Sequence, residues 1–440
     1  MDEKFDCIIV GGGIAGLSAA MILARAGRTF LLVERGEFAG SKNVSGGVLW
    51  GTDLARLIPD YWNDTGAYER FVRHRRLTLM DEQSAFSLDF KSAHYDETPF
   101  AGVIVLRSKF DHWLAAQVQE AIESSEKPDD SFVATNILVE EVLKDGDHVV
   151  GIRAGDERFF SDVVIIAEGV NNLLTRSVGL QNDYVPADHM MVGIKEVIRF
   201  DRGVLEDRFQ LDGRSGMSNE FVGFASRGVE GGGFLYTNLE SVSVGLVLGI
   251  KDLREKRLAP YDILNDFKSH AAVADMLRGG EELEYSAHTV SSGDIRAMPR
   301  DVYADGVLIA GEAANLLINA GKAIQGMDFA MRSGILAAEA VIAANQRSDF
   351  SADSLSVYRA MLENSFVMKD IRRFQGAVHL LHDPMMYRVL PDLVCDFGRR
   401  FFTVTDEPTL KTRNLLRETI KDHTSYWSIA KFGINAARSL

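Results

Sequence analysis

The stretch Gly11-Gly12-Gly13-Ile14-Ala15-Gly16 constrains this chain more than any other. It follows Phe5–Val10, a short, mostly apolar run of strand formers, and opens an Ala-rich helical run to Ala26, where Gly27 predicts the stop. A second apolar strand, Phe30–Val33, completes a βαβ unit. The glycines of a G-x-G-x-x-G turn serve three ends, namely the tight turn, the close approach of a pyrophosphate to backbone N–H groups, and helix–strand packing. The positive end of the helix then faces the phosphates. Glu34 stands at the end of the second strand, 18 residues past Gly16, where an acid can hold the two hydroxyls of a ribose. The pattern predicts dinucleotide binding, against the plainer reading of a glycine turn beside a surface glutamate.

Composition narrows the rest. With 440 residues, 46% of them hydrophobic and 25% charged, the chain suits a soluble globular protein of two or three structural units. A net charge of −15 argues against nucleic acid as a partner. Cys7 and Cys395 are the two cysteines, too few for a disulfide scaffold or an iron–sulfur cluster, which takes about four thiolates. Cys7, mid-strand beside Ile8 and Ile9, reads as a buried inert thiol. The histidines show no metal-ligand spacing, and no G-x-S-x-G elbow suggests hydrolysis. The charged opening Met1-Asp2-Glu3-Lys4 is unlike a secretory leader, and no run reaches the ~18–20 apolar residues of a membrane span. These features predict a cytoplasmic protein.

Further along, Val103–Leu106 reads as a strand and Ser108-Lys109-Phe110-Asp111 as a helix start capped by the Ser108 hydroxyl. Leu138–Leu143 and Val149–Ala154 read as a β-hairpin. Val163–Ala167 and Val307–Ala310 read as buried strands, ending at Glu168-Gly169 and Gly311-Glu312-Ala313-Ala314. Between about 185 and 285 the texture changes. Val242, Val244, Leu246, Leu248 and Ile250 alternate with smaller residues, the period of a strand with one buried face. Met190–Phe200 and Gly231–Asn238 read similarly. The expectation is an α/β protein: a discontinuous Rossmann-like nucleotide domain (1–184 and 286–345), a mostly antiparallel second domain (185–285), and a mostly helical C-terminal segment (346–440).

Three features favour FAD as the dinucleotide. Arg107, at a strand end, is placed to neutralise a pyrophosphate. Glu312 of Gly311-Glu312-Ala313-Ala314 can bond ribityl hydroxyls. Gly326-Met327-Asp328 begins a helix whose N-terminal dipole can stabilise a reduced flavin. With Gly40–Gly47, Val105–Asp111, Glu206–Leu211, Gly231–Asn238 and Glu284–His288, these segments make the chain resemble the glutathione-reductase-like FAD superfamily. More closely, it resembles the FixC-type electron-transfer flavoprotein:quinone oxidoreductases. The resemblance spans about three quarters of the chain.

It implies noncovalent FAD held by Gly11, Gly13, Ile14, Ala15, Gly16, Glu34, Arg35, Lys42, Gly46, Gly47, Arg107, Gly311, Glu312, Gly326 and Met327. The flavin itself is then the redox centre. Electrons would come from an electron-transfer flavoprotein and leave toward a membrane quinone. Because two cysteines cannot build the ferredoxin-like module of the long form, the resemblance implies the short form, whose iron–sulfur cluster would reside on a separate ferredoxin-like subunit. Where the superfamily has Asp, this chain has Glu168 and Glu312. Alternatives on the same scaffold are a flavin monooxygenase, a prenyl-chain (geranylgeranyl) reductase, and a non-enzymatic dissociation-inhibitor-like binding protein. The Tyr-x-Trp-x-Phe-Pro segment typical of prenyl reductases is absent from the sequence.

From Gly398 to Leu440, eight Lys/Arg stand against four Asp/Glu, among Phe401, Phe402, Leu415, Leu416, Trp427 and Phe432. This tail is read as a docking face for an acidic subunit, a peripheral contact with the inner face of the membrane, or an ordinary helical surface. At ~1 kcal/mol per basic residue, charge alone anchors it weakly.

Overall fold

The opening unit forms where the sequence predicts it: strand Lys4–Val10, helix Ile14–Arg25, strand Phe30–Val33. The computed structural model describes residues 4–43, 46–181, 185–320, 324–406 and 408–440, with nothing said of the His379 side chain. Val44 and Ser45 of the 40–47 segment lie outside the described residues. Cys7 pairs in parallel with Phe30 on one side and Val163 on the other, so the first strand is central. Its sheet runs in the order Tyr303–Ala304, Val307–Ile309, Glu157–Ile166, Lys4–Val10, Phe30–Val33, Phe132–Ala134. Near-continuous apolar strands belong in such a sheet because both faces are covered. Cys7 is fully buried there, and burial pushes its thiol up out of the reactive range.

The parallel strands end together at Val10, Val33, Ile166 and Ile309. That common edge is where the glycine turn, Glu34, Glu168 and Gly311 follow. Ligands of open α/β sheets bind at this edge.

The second sheet contains nine strands and reaches well beyond 185–285. Its order is Glu281–Ser291, Met190–Arg199, Ser241–Gly249, Gly231–Thr237, Ser215–Gly223, Arg70–Met80, Gly102–Leu106, Gly46–Trp50, with Ala85–Lys91 pairing to Arg70–Met80. Pairing is antiparallel except between Ser215–Gly223 and Arg70–Met80. The fully buried Arg70 ties these parts together through four backbone carbonyls, those of Gly213, Ser215, Asn238 and Leu239, and an ion pair to Glu206. Long-range pairing of this kind has no local sequence signal.

Three local expectations need correction. The strand Ser241–Gly249 is buried on both faces, with only Val247 partly exposed, because Ile263, Leu264 and Phe267 pack in the same core. The hairpin strands are Glu141–Asp145 and His148–Ala154, so 138–140 stay outside the strand. The helix Arg107–Glu123 begins before Ser108, so its N-cap is Leu106, whose aliphatic side chain cannot cap it, while Asp111 binds the Arg107 guanidinium. The C-terminal segment is helical, as expected, through Leu390–Phe402, Thr412–His423 and Tyr426–Ser439.

Candidate functional site

One cavity of about 620 Å³ lies between the edge of the parallel sheet and a face of the second sheet. Fourteen of the fifteen residues singled out from the sequence line it, and Gly16 does not. Gly16 sits beneath, where a Cβ would come within 2.0 Å of the Gly11 carbonyl oxygen. Gly11 turns at φ +113°, a left-handed conformation, with Ala167 against it. Gly13 faces open space, its nearest neighbour being Arg107 Nη2 at 3.7 Å from a built Cβ. The helix Ile14–Arg25 has no acidic residue in its first turn and no side-chain cap, so its N-terminal dipole is left for an external anion.

Around this turn the polar groups are pre-set. Glu34 accepts from the N–H of Gly12 at 2.8 Å and of Gly36 at 2.6 Å, leaving further acceptor capacity toward the cavity. Arg107 donates from Nε and Nη2 to Asp111 at 2.8 and 2.7 Å. Asp111 also takes Asn43 Nδ2 at 2.6 Å, tying the Lys42–Asn43 loop to the same helix. Burial works against the Arg107 charge, but Asp111 outweighs it and holds the guanidinium protonated. Arg35 and Lys42 lie exposed on the rim. Such a set suits a dinucleotide diphosphate and its ribose.

The two glutamates at the strand-to-helix turns, Glu168 and Glu312, behave differently. Glu168 spends its carboxylate on the helix Leu173–Ser177, accepting from Leu174 N at 3.0 Å and from Thr175 N and Oγ1 at 2.7 and 2.9 Å. Glu312 keeps one bond, from Ser291 N–H at 3.3 Å, and burial pushes it up to about 7 despite Ser291 and Arg107. On the far side, Met327 Cε lies 3.5 Å and Tyr236 Cε2 4.0 Å from where a Cβ of Gly47 would stand.

Several lining residues carried no sequence signal. Lys195 and Glu220 enter from the second sheet, and Leu381, Met386 and Tyr387 from the C-terminal segment. The latter segment includes a π-helical turn, Met385–Val389, and is clasped to Glu230 by His382 at 2.7 Å. Glu230 itself lines the cavity. An apolar stretch with no motif gives no hint of such a position.

Comparison with known proteins decides the family. Over its full length the chain is 38% identical to the probable electron transfer flavoprotein-quinone oxidoreductase YdiS of Escherichia coli K12, covering all of both chains. It is 39% identical to the protein FixC of the same strain over 417 residues, 94% of this chain and 95% of that one. This chain belongs to the FixC and electron-transfer flavoprotein–quinone oxidoreductase family. Family models match residues 6–126 (FAD dependent oxidoreductase), 191–290 (ETF-QO, ubiquinone-binding) and 377–440 (ETF-QO/FixC family C-terminal domain). It is thus an FAD-dependent oxidoreductase, as its residues and the resemblance predicted. Among solved structures, a geranylgeranyl bacteriochlorophyll reductase-like protein of Thermoplasma acidophilum matches with a TM-score of 0.72 at 20% identity over 99% of each chain. A flavoprotein/dehydrogenase of Cytophaga hutchinsonii matches at 0.63 and 16% identity over 98% of each. Both are likenesses of fold. All three family-model regions contribute walls to the one cavity, from Gly11 through Phe234 to Tyr387.

Proposed function

We propose that this FixC-family protein takes electrons from an electron-transfer flavoprotein onto FAD and passes them to a membrane quinone, with a separate ferredoxin-like iron–sulfur subunit as relay. One observation carries the reading: the space beside the glycine turn continues without a break to the sheet face matched by the ubiquinone-binding model. FAD, when bound, supplies two-electron chemistry in steps, so the chain needs only to hold and tune it. In this reading Gly11, Gly13, Ile14 and Ala15 receive the diphosphate with Arg107, and Gly16 lets the helix approach the strand. Glu34 orients the ribose and Arg35 flanks it. Gly311 and Glu312 meet the ribityl chain, and Lys42, Gly46, Gly47, Gly326 and Met327 border the ring. The apolar groups Trp50, Phe234, Tyr387 and Met386 then receive the quinone.

No helix among the described residues is long and apolar enough to cross a membrane. A quinone dissolved in the bilayer therefore calls for peripheral contact at its inner face. The exposed Phe402, Val404 and Trp427 of the basic tail support that contact. The test is anaerobic reduction of a short-chain quinone analogue by a reduced electron-transfer flavoprotein with this protein as catalyst. Rapid turnover is expected. NADPH-driven oxygen consumption with an aromatic acid, and no quinone reduction, would overturn the reading in favour of a hydroxylase.

A further inference from the structure

Lys195 is buried, 5% exposed, yet lines the cavity, and its ammonium makes no hydrogen bond or ion pair with any described residue. It stands in a cross-strand row. Lys195 opposes Gly245, Gly245 opposes Phe234, and Phe234 opposes Glu220. Directly paired residues share a face of the sheet, so Lys195, Phe234 and Glu220 all look into the same space. Gly245 leaves room for the Phe234 ring, whose Cζ would lie 2.5 Å from a Cβ there. Phe234 stacks on Tyr236 with centroids 5.0 Å apart, and Tyr236 reaches Gly47. The row therefore sets an unpaired cation beside an aromatic platform. A desolvated ammonium without an acceptor is costly, and a ligand oxygen is the missing partner. Glu220 is already engaged by Ser218 Oγ at 2.6 Å and by Arg75 at 3.6 Å.

Resting on the quinone reading above, we propose that Lys195 is the catalytic donor that hydrogen-bonds one quinone carbonyl and protonates it during reduction. The bound FAD would supply the two electrons and one of the two protons that a quinone needs, and the Lys195 ammonium would supply the second proton. Both carbonyl oxygens become hydroxyls, one N–H bond at Lys195 breaks, and the neutral amine regains its proton from water. Burial, opposed by Glu284, brings the ammonium down to about 8, so the proton is held at neutral pH and readily given up. Glu284 and His288 lie on the neighbouring edge strand, Glu220 lies along the row, and Arg107 and Glu312 line the cavity from other elements. The strands between Lys195 and Glu220 present Gly245 and Phe234, which carry no charge.

The test is anaerobic stopped-flow oxidation of the reduced holoprotein by a short-chain quinone or by ferricyanide, which accepts electrons without protons. Lys195→Gln should slow quinone reduction about 100-fold, the scale of a lost general acid, with FAD content and the ferricyanide rate unchanged. Lys195→Arg should restore part of the rate. In the wild type the quinone rate should fall as pH rises through about 8, and this limb should vanish in the Gln variant. Equal quinone rates in Lys195→Gln and wild type would overturn the assignment, as would lost FAD or an equally slowed ferricyanide reaction, either of which would make Lys195 a flavin-holding group. A wild type that reduces ferricyanide but no quinone would remove both the assignment and the function beneath it.

Discussion

At the scale of single residues, Gly13 and Glu312 make separable demands. A side chain at Gly13 meets only the far end of Arg107, so Gly13→Val should fold normally while filling the space proposed for the diphosphate. Purified Gly13→Val should have an unaltered far-ultraviolet spectrum and no flavin absorbance; a normal FAD content would put the diphosphate elsewhere. Glu312 titrates near 7 in the fold, above its ordinary 4.5. A raised carboxyl is penalised only once ionised, so the cost is absent below about 4.5, grows through 7 and is complete above it. Glu312→Gln should therefore stabilise the FAD-free protein by roughly 1–3 kcal/mol at pH 8 and by little at pH 4.5. Unfolding midpoints at the two pH values check this; equal gains at both would mean that the carboxylate's charge is not what the fold resists.

At the scale of elements, the segment 377–389 closes the cavity through a contact that depends on protonation. The Glu230 hydrogen bond raises His382 above its ordinary value despite burial, with Asp188 and Asp294 acting the same way. A raised histidine stabilises most at acid pH and loses that contribution as pH rises through its folded value. Backbone hydrogen exchange across 377–389, corrected for intrinsic rates, should speed up on going from pH 6 to pH 9 in the wild type. His382→Ala should exchange quickly at both, and a pH-independent wild type would rule out the clasp. Sequence reading had no access to this element because its residues touch partners some 150 positions away.

At the scale of the whole molecule, an acidic body carries a basic, partly apolar tail. Asp396 holds Arg400 and His423, and Arg400 also binds Asp422 at 2.6 Å, bracing Leu390–Phe402 against Thr412–His423. Phe402, Val404 and Trp427 project at 74, 92 and 76% exposure, whereas Phe432, counted from sequence with the same group, is buried. For the membrane contact proposed above, charge supplies too little for stable anchoring, and the apolar groups would have to contribute. Cosedimentation with vesicles containing anionic lipid should weaken as salt is raised and should be lost in Phe402→Asp/Trp427→Asp. Undiminished vesicle binding in that variant would exclude these side chains from the membrane contact.

What the chain's order alone determined was local and periodic. The βαβ unit, the turn at Gly11–Gly16, the acid at Glu34 and the later strand-to-helix turns follow from short-range sterics and hydrophobic period, and so could be read directly. The segments bearing Gly46, Gly47, Arg107, Gly311, Glu312, Gly326 and Met327 were legible individually, but only the family resemblance, not their local pattern, grouped them around one cofactor, and the fold brings them to one cavity. Only tertiary structure brought Gly46–Trp50 and Arg70–Met80 into a sheet with residues beyond 190, aligned Lys195 with Phe234, and folded Tyr387 over the space between. Those contacts join positions tens to hundreds of residues apart, and nothing in the local pattern records which distant strand a strand will pair with.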